Sequence, residues 1–432
     1  MQHVDETTTA PPAAASSLTR TAISTLVLIV SLFFLWGMAN NLNDILIKQF
    51  KGAFELSDFQ AGLVQSAFYL GYFLLAIPAG LCMRRFGFKG ALLIGLGLYA
   101  LGALLFYPAA ATHTYALFLG ALFVIASGLA FLETSANPLV TVLGPPEGAA
   151  RRLNLAQSFN PLGSITGVLI GRYFIFSGVE HTPAELAAMS PAVRHAYFTA
   201  ESAAVQTPYL VIGVVVIVFA VLIALARFPA TTQHAADRSS GSSHMRRLLR
   251  NRHFLFSVTA QFFYVGAQVG VWSYLIRYTQ GTLPGTPEKT AADFLTASLV
   301  AFMLGRFAGT ALMRFFAPRK LLALFALINV LLCGVAAGVP GRVGIDALVA
   351  ASFFMSVMYP TIFVLGLGGL DDDDRKLGSS FLVMAIIGGA VLTALMGAVS
   401  DMAGIPRAML VPLGCFAVIL AFAMRSGSTR DA

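Results

Sequence analysis

Three side chains of this 432-residue chain are costly where they stand: Glu133, Asp44 and Arg306. Glu133 lies in "GLAFLETSANP", with no other charged residue between Thr112 and Glu147. Asp44 lies in "WGMANNLNDILIK", where an oily run ends, and Arg306 lies in "VAFMLGRFAGT". An ionisable group inside hydrocarbon is expensive and by default marks a pathway or a partner. Burial disfavours a carboxylate over its neutral acid, so a carboxyl placed like Glu133 is suited to take up and release a proton as its access to water alternates. The alternative is a glutamate kept neutral, or paired, purely for structure. All seven histidines (His3, His113, His181, His195, His234, His244, His253) fall in tails, loops or ends of apolar runs. Proton movement, if present, is therefore left to the carboxylates.

Asp44 admits two readings. Asn41, three residues back, shares its helical face, and an amide beside a carboxylate forms a donor–acceptor cluster suited to hydroxyl groups. Lys48, four residues on, would instead make a surface ion pair with it, leaving a polar cap on the end of a helix. Gln157 and Asn160 are three apart and share a side. Gln261, Tyr264, Gln268 and Trp272 fall within a narrow helical arc. Aromatic rings offer a flat apolar surface to the C–H face of a sugar while amides bond its hydroxyls; the same spacing also serves a helix–helix contact. Arg306 reads either as a counter-charge or as a cation that snorkels inward. The run "DDDDRK", Asp371 to Lys376, reads as a solvated loop, and "GLGLYALG" lies within an apolar run with no strand before it, which excludes a nucleotide loop. Cys82, Cys333 and Cys415 are scattered through apolar segments and fit packing rather than a disulfide framework or a metal site.

The elements that must hold these residues follow from composition. The chain is 57% hydrophobic and only 11% charged, about half the charge that a water-facing surface normally carries. A helix needs roughly 20 apolar residues to cross the hydrocarbon layer. Twelve candidate spans meet that length: 22–47, 57–83, 88–109, 113–138, 152–177, 207–228, 253–278, 291–316, 319–338, 343–368, 376–400 and 406–424. The expected fold is an all-α membrane protein, and the absence of short alternating segments argues against a porin-type barrel. The polar first 20 residues have no basic start and show no cleaved signal.

The net charge of +8 encodes topology rather than nucleic-acid binding. Arg84, Arg85, Lys89, Arg151, Arg152, Arg246, Arg247, Arg319 and Lys320 fall on the side of the termini, against Lys48, Lys51, Arg194, Lys289, Arg342 and Arg407 on the other. Such asymmetry expects both termini in the cytoplasm. The organisation expected is a cytoplasmic tail at 1–21, a six-helix bundle at 22–228, a flexible cytoplasmic linker at 229–252, a second bundle at 253–424 and a tail at 425–432. The halves resemble each other. "NPLVTVLG" from Asn137 and "YPTIFVLG" from Tyr359 match at Pro, Val, Leu and Gly, 222 residues apart. A parallel six-helix repeat is one way secondary transporters are built, with the substrate site at the midplane between halves. Gly163, Gly167 and Gly171, at four-residue spacing, bare one helix face for close backbone approach.

With these residues located, the chain resembles the L-fucose–proton symporters, in the fucose–galactose–glucose branch of the major facilitator superfamily. The resemblance runs nearly the whole length, through "FQAGLVQSAFYLGYF", "LETSANPLVTVLGP", "RLNLAQSFN", "WSYLIRY", "YPTIFVLG" and "GSSFLVMAIIGGA". It implies that Asp44 in "NNLND" helps recognise a sugar and that Glu133 in "LETSANP" carries the proton. It also implies cavity roles for Asn41, Gln157, Asn160 and Tyr359. Two departures stand out: Arg84 occupies a place where the superfamily usually has an acid, and Lys48 one where relatives carry a proline. The expected activity is uptake of L-fucose or a related sugar with a proton across a bacterial inner membrane. A glucose, galactose or amino-sugar carrier of the same branch is the nearest alternative, and a membrane-embedded enzyme or sugar sensor a remote one. The expected partners are the sugar, the proton and the bilayer, with a monomer sufficient and no cofactor, metal or nucleic acid.

Overall fold

A computed structural model describes residues 24–39, 58–112, 114–170, 185, 188–228 and 241–426. Among them the chain is helical, with no strand. Nine helices among the described residues are long and apolar enough to cross a membrane, and Ser24–Ala39 (α1) is a shorter apolar one. In the first half follow Asp58–Ala111 (α2), Tyr115–Val142 (α3), Ala149–Gln157 (α4), Phe159–Ile170 (α5), Pro191–Ala203 (α6) and Gln206–Leu225 (α7). After Gly241–Arg250 (α8), the second half holds Arg252–Thr282 (α9), Glu288–Leu312 (α10), Pro318–Gly338 (α11), Arg342–Met355 (α12), Met358–Leu367 (α13), Asp372–Met384 (α14), Gly388–Ala403 (α15), Ile405–Ala408 (α16) and Leu410–Arg425 (α17). Gly87, at φ 72°, turns the chain inside α2, so its two limbs supply the second and third expected spans.

The helices bury one face against one another and show an apolar face outward. The α7 helix buries Tyr209, Ile212 and Val216 while exposing Val211, Val214, Val218 and Val221. A helix apolar all round belongs in lipid. Lipid tails give helices no hydrophobic reason to associate, so close packing of small residues matters. Gly163 and Gly167 meet that need, lying against the backbone of Phe34 and Met38 of α1, and Gly37 of α1 lies against the Asn160 carbonyl.

Four expected spans are interrupted, the eleventh at Ala385–Ile387 and the twelfth at Met409 besides two next to the candidate site residues. The fifth divides at Ser158 into α4 and α5, and the tenth divides at Ser356–Val357 into α12 and α13. Pro161 and Pro360 stand just after these breaks, where each lacks the N–H that would continue the ladder. Pro138 sits within α3, which stays helical through it.

Two sequence expectations need correction. The run from Asp371 to Lys376 is not a loop but the start of α14: Asp371, itself exposed, accepts from the backbone N–H of Asp374 and caps that helix. Within that run Asp374 and Lys376 are buried, because four acids beginning a helix face the positive end of its dipole and basic groups close over them. His244 Nδ1 lies 2.6 Å from Asp374, and Arg247 reaches Asp371 at 2.7 Å and Asp374 at 3.1 Å. Part of the connection read as flexible, residues 241–250, is thus a helix whose Leu248 is buried and whose His244 and Arg247 meet α14.

Candidate functional site

The site grows from α3. Every residue from Ile125 to Val140 on this helix is buried, Glu133 among them at 1% exposure. Across the interface, the break after α12 brings Tyr359 to the start of α13, and its phenol O–H donates to Glu133 Oε1. This is a bond between the two halves of the chain. Asn137 lies one turn beyond Glu133 on the same helix, with its side-chain amide alongside the carboxyl.

Gln157 ends α4, and its Nε2 donates to Asn137 Oδ1 at 3.1 Å. Because Pro161 has no N–H, the backbone carbonyl of Gln157 lacks its helical partner. Arg306 of α10 takes that place: Nη1 lies 3.3 Å from the Gln157 carbonyl and 3.0 Å from Oε1 of the same residue. Arg306 is 5% exposed, and its guanidinium sits 4.8 Å over the Phe302 ring. The sequence left Arg306 as counter-charge or snorkelling cation; it points inward and reaches across to the first half. Pro138 repeats the device. It frees the Thr134 carbonyl, which accepts from Ser379 Oγ of α14 at 3.0 Å.

Further contacts run between the halves toward the end that carries the basic loops. Asn154 Nδ2 donates to Thr361 Oγ1 at 3.3 Å, Gly80 packs against Ser380, and Arg84 lies 3.8 Å from Asp373. Arg152 gathers the carbonyls that end α3: it donates to Val140 at 3.3 Å, Thr141 at 2.7 Å, Gly144 at 3.2 Å and Pro145 at 2.8 Å. That clamp fixes α4 against α3, and with it Gln157 against Asn137.

Of the residues singled out in the sequence, Glu133, Gln157 and Tyr359 come together here. Gln261 is fully buried with its amide near the Tyr359 hydroxyl, yet makes no hydrogen bond of ordinary geometry. Tyr264 donates to the Met355 carbonyl at 2.9 Å, a group released by the break between α12 and α13. Trp272 donates to Ser352 Oγ at 3.2 Å and meets Phe302 edge-on at 5.0 Å. The polar atoms of Tyr264 and Trp272 therefore serve helix contacts; Tyr264 is fully buried and Trp272 partly so. Gln268 is half-buried on the same helix. Asn160 donates to the Phe33 carbonyl of α1 at 3.4 Å. Asp44, Asn41 and Lys48 lie outside the described residues.

Sequence reasoning passed over Asn137, Ser379 and the Asn154–Thr361 pair. Asn137 carried a usable signal, since it follows Glu133 by four residues, the spacing at which helical side chains meet. For metal-ligating residue types, the described residues offer His244, Asp371 and Asp374 in one group, but Arg247 already binds both carboxylates.

A family model for the Major Facilitator Superfamily matches residues 21–385. The chain is 52% identical over 409 residues to the L-fucose-proton symporter of Escherichia coli K12, covering 94% of this chain and 93% of that one. It is 38% identical over 392 residues to the glucose/galactose transporter of Brucella abortus, covering 90% of each. Among solved structures it resembles the transporter FucP in the outward conformation, with a TM-score of 0.88 and 51% identity over 94% of this chain and 99% of that one. Helices, broken spans, repeat and sequence relatives agree on one conclusion: the chain belongs to the major facilitator superfamily.

Proposed function

We propose that the chain is a proton-coupled symporter that brings L-fucose, or a close stereochemical relative, into the cell by alternating access. The observation that carries this reading is a carboxyl sealed from water, Glu133, held by Tyr359 of the other half and joined through Asn137 to Gln157. A phenol bonds a charged carboxylate more strongly than a neutral acid. A proton arriving on Glu133 therefore weakens the tie between the halves and lets them rock; its release restores the tie. Asp44 and Asn41 recognise the sugar together with Gln157, Asn160 and Tyr359, against a wall formed by Gln261, Tyr264, Gln268 and Trp272.

The two six-helix bundles meet at the 229–252 connection, the protein works as a monomer in the inner membrane, and both termini face the cytoplasm. On that orientation the Arg84–Asp373 and Asn154–Thr361 contacts close the cytoplasmic end. The membrane potential supplies about 2.3 kcal/mol per proton per 100 mV, enough for about fifty-fold accumulation before any pH gradient is added. The relatives named for glucose and galactose support a second reading, a carrier of those sugars.

Uptake of labelled L-fucose into vesicles, with and without an imposed proton gradient, tests the proposal. Accumulation should follow the gradient, and unlabelled L-fucose should compete better than glucose or galactose. Uptake indifferent to the gradient would reject symport; stronger competition by glucose would move the substrate to the second reading.

A further inference from the structure

We propose that Asn137 is a positioning residue that couples proton binding at Glu133 to sugar binding at Gln157, as the middle of an amide relay whose direction Arg306 sets. The proposal rests on reading Glu133 as the proton carrier and Gln157 as a sugar ligand.

A side-chain amide has one accepting end and one donating end, and a guanidinium has donors only. The end of Gln157 that meets Arg306 must therefore be its carbonyl, and Oε1 lies 3.0 Å from Arg306 Nη1. That turns the Gln157 amino group toward Asn137, whose Oδ1 accepts it at 3.1 Å. The Asn137 amino group is then the end left for Glu133, beside which it lies. Asn137 is fully buried, and neither its Nδ2 nor Glu133 Oε2 makes a hydrogen bond of ordinary geometry with any other group among the described residues. A donor and an acceptor are thus left over side by side. Facing Glu133 from other helices are Tyr72 of α2 and Tyr359 of α13, with Arg306 beyond Gln157.

Polarity gives the relay its function. An amino group donates and cannot accept, so in this arrangement Asn137 favours the carboxylate of Glu133 over the neutral acid. A sugar hydroxyl that engages the Gln157 amide in place of Asn137 frees Asn137 to turn. Its carbonyl can then accept the O–H of a protonated Glu133. Sugar at one end and proton at the other each make the other's binding easier, and such coupling is reciprocal.

The test is the pH dependence of L-fucose affinity, measured by calorimetry on the purified full-length protein from acid to mildly alkaline conditions. Native protein should bind L-fucose more weakly as pH rises. In Asn137→Leu that dependence should flatten, and the pH of half-maximal gradient-driven uptake should rise by about one unit, the shift expected for losing one hydrogen bond to a charged group. Arg306→Gln, whose amide can face Gln157 either way, should flatten it too, and the double variant should flatten it no further than either single one. Additive effects, or a native pH profile in Asn137→Leu, would overturn the relay. If Asn137→Leu does not fold, Asn137→Asp keeps the acceptor for Gln157 but offers Glu133 no donor when ionised. It should move the uptake midpoint upward by more than one unit, and an unmoved midpoint would overturn the relay equally. Glu133→Gln separates the two layers. A native pH dependence in that variant would reject the proton-carrier reading itself, whereas its loss there beside a native profile in Asn137→Leu would reject the relay alone.

Discussion

The two copies of the internal repeat make different use of one frame. Glu133 and Asn137 in the first copy correspond to Met355 and Tyr359 in the second, 222 residues on, and Pro138 corresponds to Pro360. The first copy carries an ionisable group and stays one helix through its proline. The second is apolar and aromatic, and breaks between α12 and α13. Duplication therefore kept the frame and divided the labour. The first half holds the carboxyl; the second supplies donors to it and to its surroundings, Tyr359 to Glu133, Arg306 to Gln157 and Ser379 to Thr134. Two of those three bonds end on carbonyls that prolines of the first half have freed, which makes Pro138 and Pro161 docking points rather than mere kinks.

Four substitutions probe this division, from the largest expected effect to the smallest. Arg306→Leu strands the Gln157 carbonyl and side chain in a buried place, and uptake should fall by about a hundred-fold or more, since leaving buried groups unpaired costs roughly 1–3 kcal/mol each. Near-native uptake in Arg306→Leu would show that the second half does not serve the first there. Tyr359→Phe removes one hydrogen bond to a charged group, worth about 1.5–3 kcal/mol, so the halves no longer wait for the proton, and gradient-driven accumulation should drop roughly ten- to hundred-fold while purified protein remains folded. Ser379→Ala removes a neutral bond worth about 1 kcal/mol; a several-fold change in rate and a slightly lower melting temperature in detergent are expected, and an effect as large as that of Arg306→Leu would erase the distinction between charged and neutral docking. Arg84→Ala breaks a pair at 3.8 Å, for which about 0–1 kcal/mol is typical. Cysteine-accessibility labelling at the basic end should rise by less than about five-fold, and labelling that rises much further would make this pair a principal closure.

Much of this was legible in the chain itself. Long apolar runs led to the helices, because membrane spans leave a strong signal. Glu133 was legible because a lone acid in an apolar run is rare. Less legible was whatever depends on which helices become neighbours. Nothing local to "DDDDRK" says that His244 and Arg247, far back in the chain, will cover Asp371 and Asp374. Nor does "VAFMLGRFAGT" say that Arg306 meets a carbonyl that Pro161 released. Prolines stand near the breaks at Ser158 and Ser356, yet the hydropathy of each span is unbroken and predicts a continuous helix.

The most direct test of the central claim, that the proton travels on Glu133 together with the sugar, is to record proton and L-fucose movement in the same vesicles. Native protein should make the medium more alkaline as L-fucose enters. Glu133→Gln should show no proton movement and no accumulation while still exchanging labelled for unlabelled L-fucose. Glu133→Gln vesicles that alkalinise the medium as native ones do would contradict the account.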